Sequence, residues 1–187
     1  MTYYGGKEMA DAFRTVRKNT IQIAEDIPEN RYDFRAAPDT RTVGQTLAHI
    51  AVSTNFQHYT HSNKITDMKN VPFQELFQKF SAEESKPRTK AELIALLKSE
   101  GDKFASFLEG LPESALSEVV NVMPGAQPQR KTRFEMLLGA KEHEMHHRAQ
   151  LMTVQRMIGI VPHLTRQMQE RFAATQAAAS SGSQAQR

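Results

Sequence analysis

Three times in this chain a threonine stands three residues ahead of a glutamate or glutamine, at the head of a run with helical apolar spacing. The pairs are Thr42 and Gln45, Thr89 and Glu92, and Thr132 and Glu135. At this spacing the hydroxyl accepts one free backbone amide of the first turn while the longer side chain reaches back to cover another. Each box therefore marks where a helix begins. The stops are as clear. Pro28 forces Ile27 out of helical geometry, Gly110 and Pro112 end the run opened by Thr89, and Gly159 followed by Pro162 suits the end of the run opened by Thr132.

Between these signals lie four long segments. The first spans about Lys7 to Ile27, with Met9, Phe13, Val16, Thr20, Ile23 and Ile27 at three- and four-residue steps. The second runs from near Thr42 to Tyr59 or beyond and is apolar on more than one side, so it belongs deep in a core. The third carries Leu93, Leu97, Phe104 and Leu108, and the fourth reaches about Ile158. The connection 65–88 holds a short amphipathic helix around Phe73, Leu76, Phe77 and Phe80. The patch Val119 to Met123 is strand-like but too short to argue for a sheet. These features predict an all-α protein, a four-helix bundle whose middle connections are too long for simple hairpins, so that one of them crosses over.

A chain of 187 residues can bury roughly 70% of the surface its unfolded form exposes, enough for one domain without a disulfide. The domain is expected to span residues 1–175, with Leu164 to Ala174 as one more short helix. Residues 176–187 are Ala, Ser, Gln and Gly up to a final Arg187, with no large apolar residue, a composition expected to stay disordered. The chain has no cysteine, which removes thiolate ligands and cysteine nucleophiles. No apolar run approaches the ~18 residues of a membrane span. The net charge of +3 comes from scattered Lys and Arg with no basic arm and no interleaved aromatics. A cytoplasmic protein that binds neither membrane nor nucleic acid is the expectation.

The chemistry concentrates in the histidines. His143 and His147 stand four apart on the fourth helix, with Cβ atoms about 5–6 Å apart, so both imidazoles can reach one ion at ~2.0–2.1 Å. They lie on the stripe Met136, Ala140, His143, His147, Leu151, Val154 and Ile158, apolar except for the pair, which therefore points into the core. Buried imidazoles need a partner for each ring nitrogen. A third ligand is expected from His49 on the second helix, between Leu47 and Ile50, although a lone buried histidine is more often a hydrogen-bonded core residue. His58 and His61 sit at the more polar end of that helix and are expected to be exposed. His146 could chelate with His143 instead, but it flanks the stripe, whereas His147 continues it. The run His143-Glu144-Met145-His146-His147 is a literal His-Glu-x-x-His, in which the glutamate serves as base toward a metal-held water. Proteases of that kind set the helix beside a sheet, and no sheet is expected here.

Two blocks of the sequence resemble the DinB/YfiT-like family. The first is Tyr32-Asp33-Phe34-Arg35-Ala36-Ala37-Pro38 followed by Thr42-Val43-Gly44-Gln45-Thr46-Leu47-Ala48-His49-Ile50-Ala51. The second is Glu142 to Leu151 followed by Arg156-Met157-Ile158-Gly159-Ile160-Val161-Pro162. The resemblance covers about residues 8–165. Ala149 stands where such proteins usually have glycine, a small replacement. The resemblance implies a four-helix bundle with a long crossover, a homodimer, and a three-histidine metal site at His49, His143 and His147. It also implies, for some members, transfer to low-molecular-weight thiols such as bacillithiol or mycothiol. A divalent ion so held leaves open positions at which water or a thiol is deprotonated near neutral pH. Imidazole suits zinc, nickel, iron and copper alike. Glu144, His146 and Arg148 are the candidates for acid, base or anion contact with a small-molecule substrate. The competing expectation is a metal-binding or interaction bundle without catalysis.

Overall fold

In a computed structural model of the chain, which describes residues 4–184, seven helices and one short hairpin follow in order. Four long helices build the bundle: α1 (Gly6–Asp26), α2 (Val43–Ser62), α4 (Lys90–Glu109) and α6 (Arg133–Met157). The lesser helices are α3 (Phe73–Glu84), α5 (Glu113–Leu116) and α7 (His163–Gln184). All three Thr capping boxes form, each hydroxyl accepting the amide three residues on. Gly159, at φ +84°, turns the chain after α6.

Each bundle helix packs on two others, α1 on α4 and α6, and α2 on the same pair. The cyclic order is thus α1, α4, α2, α6, with the two ligand-bearing helices α2 and α6 side by side. Helices consecutive in sequence, α1 and α2, lie on opposite corners. The connection 27–42 must therefore cross one end of the bundle. It is pinned there by Tyr32, whose hydroxyl donates to Ala24 O at 2.7 Å, and by the Gly44 amide donating to Tyr32 O at 2.9 Å.

Two apolar clusters fill the bundle from either end. One gathers Ile23, Leu47, Ile50, Leu97 and Leu151, the other Met9, Phe13, Phe104, Leu108 and Leu137. Between them sits an ion pair. Arg17 of α1, 3% exposed, donates through Nε to both carboxylate oxygens of Glu144 on α6, at 2.9 and 3.1 Å. Its Nη1 donates to Leu97 O of α4 at 2.7 Å and its Nη2 to Ile50 O of α2 at 3.2 Å. Gly101 makes room for it: a Cβ there would lie 2.8 Å from Arg17 Cγ.

Three features depart from the sequence reading. The patch at Val119 forms a strand, β1 (Val119–Asn121), paired antiparallel with β2 (Arg130–Thr132). The hairpin closes a third cluster, in which Val120 meets Met68, Val71 and Leu76 and so fastens α3 to the bundle. The helix α7 runs on to Gln184, so 176–184 is helical where composition suggested disorder; the remainder of the expected tail, 185–187, lies outside the described residues. His61 is buried rather than exposed. It accepts from Arg133 Nη1 at Nδ1 and contacts Gln57 Oε1 through Nε2, while Arg133 Nε donates to Glu118. One polar neighbour in sequence, the half-buried Gln57, is its partner, and the other partner, Arg133, comes from α6.

Two predictions follow from these buried groups. Arg17→Met strands the Glu144 carboxylate in the core and is expected to cost about 3–5 kcal/mol in urea denaturation, most of it recovered in the double variant Arg17→Met/Glu144→Leu. Burial, then the Arg133 charge, lower the His61 pKa from its ordinary 6.5 to about 4. Between those values the unfolded chain holds a proton that the native imidazole rejects, so stability is full above pH 6.5 and declines as the pH falls toward 4. His58, His143, His147 and His163 are shifted in the same direction. His61→Asn, which keeps an acceptor for Arg133, should flatten but not abolish the fall in melting temperature between pH 7 and pH 5.

Candidate metal centre

The two histidines of α6 and the one of α2 meet where those helices touch. His143 Nε2 lies 3.1 Å from His49 Nε2 and 3.2 Å from His147 Nε2. The three side chains offer ligand atoms that all lie within 4.8 Å of one another. Donors bound at about 2.0–2.1 Å to one ion sit roughly 3–3.4 Å apart in octahedral or tetrahedral arrangements, so the spacing fits.

The outer nitrogens decide what the inner ones can do. His49 Nδ1–H donates to Glu84 Oε1 at 2.5 Å, and Glu84 Oε2 accepts from Arg41 Nε at 3.2 Å. On the other side Gln150 Nε2 donates to His146 Nε2 at 3.1 Å, which orients its amide so that Oε1 accepts from His147 Nδ1–H at 2.8 Å. Both rings are thereby held in the tautomer whose Nε2 carries a lone pair. His143 Nε2 touches both and has at most one proton to give. At most one of the two contacts can therefore be a hydrogen bond, and the other brings two ring nitrogens together with no proton between them, an arrangement a cation relieves. Burial, followed by the neighbouring imidazoles and Arg41, pushes the His143 pKa down to about 4. Burial lowers His147 too, against the opposing Gln150 hydrogen bond. Burial pushes the Glu84 carboxyl up, but the His49 contact and the Arg41 guanidinium together outweigh it and hold it below the ordinary value. The donor set fits a divalent ion: three imidazole nitrogens turned toward one point, with a carboxylate behind one of the rings.

Two cavities reach the triad. One, of about 500 Å³, is bounded by α2, α3 and α6; His49 and His143 line it together with Val52, Phe56, Phe77 and Phe80. The other, of about 650 Å³, lies against the 28–42 connection; His147 and Gln150 line it with Asp39, Thr40, Thr46 and Thr153.

The residues expected to do acid, base or anion work part company here. Glu144, 1% exposed, is committed to Arg17 on the opposite side of α6 and lines neither cavity. The His-Glu-x-x-His spelling thus does not place a base beside the ligands here, because Arg17 takes the Glu144 carboxylate. Arg148 also lines neither cavity; burial lowers its pKa and the Glu144 charge acts against that. His146 is exposed, with its ring centroid 4.9 Å from that of His147. The residues that sequence reasoning missed are Glu84, Arg41 and Gln150. Gln150 follows His147 by three and His146 by four, a helical spacing that could have exposed it. Glu84 comes from a separate helix, and no local signal joins it to His49.

If Glu84 orients His49 as described, Glu84→Ala is expected to weaken zinc binding about 10–100-fold in competition with a chromophoric chelator, with the helical circular dichroism unchanged. Gln150→Ala should act in the same direction through His147. Unaltered affinity in both would show that neither partner orients its ligand.

Known proteins share both the sequence pattern and this architecture. The uncharacterised protein YjoA of Bacillus subtilis is 25% identical over 152 residues, covering 81% of this chain and 90% of its own length. The crystal structure of YjoA, described as DinB-like, superposes with a TM-score of 0.60 at 22% identity, over 81% of this chain and 92% of that one. YfiT of Bacillus subtilis, described as a probable metal-dependent hydrolase with an unusual four-helix bundle topology, gives a TM-score of 0.64 at 15% identity, over 86% and 91%. A mycothiol-dependent maleylpyruvate isomerase gives 0.60 at 16% identity, over 81% of this chain but 63% of its own. The DinB superfamily pattern matches residues 12–151, from the first bundle helix through both histidines of the last, and the chain belongs to that superfamily.

Proposed function

We propose that His49, His143 and His147 hold one divalent ion, zinc, nickel or iron, and that the protein is a metal-dependent enzyme. In it a low-molecular-weight thiol or water attacks a small electrophilic substrate. The observation that carries this reading is the convergence of three inward nitrogens at a point that two cavities reach from different sides. A divalent ion held by three neutral ligands supplies a Lewis-acidic position where a thiol or water gives up its proton near neutral pH. The chain supplies the rest. Asp39, Thr40, Thr46 and Gln150 offer a polar wall to a hydrophilic co-substrate, and Phe56, Phe77 and Phe80 an apolar wall to the body of the electrophile. His146, exposed on α6 and hydrogen-bonded to Gln150, which in turn holds His147, is the candidate to exchange protons with solvent.

A purely structural ion would favour a closed site with every position filled by protein. Two cavities that open on the triad, one at His49 and His143 and the other at His147, favour turnover instead. The described hydrolase suggests water as the nucleophile and the mycothiol-dependent relative suggests a thiol. A thiol co-substrate places the protein in a reducing cytoplasm, and a homodimer belongs to the same proposal. No helix among the described residues is long and apolar enough to cross a membrane.

Elemental analysis of untagged protein, beside His147→Ala, tests the reading. About one equivalent of metal is expected in the wild type and little in the variant, together with thiol-dependent consumption of an electrophile that the variant does not support. A wild type that takes up no metal after reconstitution would sink the proposal.

A further inference from the structure

Arg41 is the one cationic side chain lining either cavity at the triad, and it lines both. Its guanidinium is held by one edge. The Nε donates to Glu84 Oε2, while the other oxygen of that carboxylate is fixed by His49. The two terminal nitrogens have no protein partner among the described residues. What remains is a fork of N–H donors, oriented from behind and presented beside the metal ligands. That geometry matches two oxygens of a carboxylate. Across the 500 Å³ cavity stand Val52, Phe56, Phe77 and Phe80, and Phe77 is 62% exposed on a helix that otherwise buries only Leu76. At the α6 side of the same cavity Gly139 contributes no side chain, and a Cβ built there would meet nothing within 4 Å. The pair Arg41–Glu84 is neutral as a unit and imidazole ligands bring no negative charge, so a bound divalent ion leaves the site with excess positive charge for an anionic molecule to offset.

We infer that Arg41 is the specificity-determining residue of this site and that its substrates are small molecules joining an apolar, ring-sized body to a carboxylate. The inference rests on the function proposed above. The carboxylate spans the Arg41 fork, the apolar body lies against Phe56, Phe77 and Phe80, and the reacting carbon is left facing the triad. Arg148, the cation that sequence position suggested for this role, has no access to either cavity.

The test is a calorimetric titration with two matched probes, 3-phenylpropionate and 3-phenylpropanamide, on the zinc-loaded and the zinc-stripped protein. The carboxylate is expected to bind at least tenfold more tightly than the amide in both forms. In Arg41→Gln that ratio falls toward one while the amide's affinity is kept, and Arg41→Lys recovers only part of the preference. Gly139→Leu, which fills the cavity, should weaken both probes. Three results overturn the inference. A preference that survives Arg41→Gln and disappears with the zinc puts the carboxylate on the ion. A variant with lower melting temperature or zinc affinity but an unchanged ratio makes Arg41 only a brace for α3. Probes that do not bind the wild type, or bind Gly139→Leu equally well, remove the cavity as their site. A protein that binds no zinc yet prefers the carboxylate through Arg41 would refute the metal-dependent enzyme and with it the substrate inferred here, leaving Arg41 as a carboxylate-binding residue alone.

Discussion

A single guanidinium touches every helix of the bundle. Arg17 leaves water at a cost that the core could not bear unless each donor found an acceptor. It finds a carboxylate on α6 and backbone oxygens on α4 and α2. Those acceptors are not scattered. Glu144 follows His143 in the chain and Ile50 follows His49, so the core face of each ligand-bearing helix is tied to Arg17 at the residue beside its ligand. The spacing of α2 and α6, and with it the distance between imidazoles, is set from inside the bundle. Gly101 is the concession α4 makes to let that side chain pass.

On the outer face the arrangement is a chain of hydrogen bonds with the triad in the middle. Arg41, Glu84 and His49 form one arm, and His146, Gln150 and His147 the other. Both arms run out to solvent, and both fix a ring nitrogen's proton on the side away from the centre. Rigidity comes from the core, tautomer from the arms. The cavities come from neither: they are shaped by α3 and by the 28–42 connection, segments that the bundle needs only as links.

What was legible in the sequence was what local spacing encodes. Where capping boxes and terminators stood they marked the long-helix ends to within a residue or two, because those signals act within one turn of their own position; the end of α2, which none marks, lies at Ser62. The pair at His143 and His147 was legible from helical period, and His49 from its place on an apolar helix. The rest depends on pairing across the chain. Glu144 looked like a base because one-dimensional spelling does not say which face a residue takes, and a partner 127 positions away claims it. His61 looked exposed among polar neighbours because the partner that buries it, Arg133, lies 72 positions away. The hairpin is three residues a side, too short for alternation to register, and its stability comes from Val120 packing under α3. Helix α7 carries little apolar signal beyond its first turn, and its side chains at 167–176 are exposed.

The division between a core that sets ligand distance and links that shape the cavities has a consequence for how such a protein can change over generations. Substitutions in α3 or in the 28–42 connection alter what the site admits without passing through Arg17 or Glu144. Substitutions at the ion pair disturb every helix at once. Natural variation should therefore accumulate in the walls and spare the frame, so that one inherited centre could be refitted to many small molecules. Glu84 is the point where that freedom ends, because it belongs to a variable wall and yet holds His49; a lineage that reshapes α3 must keep its last turn in register or find His49 another partner.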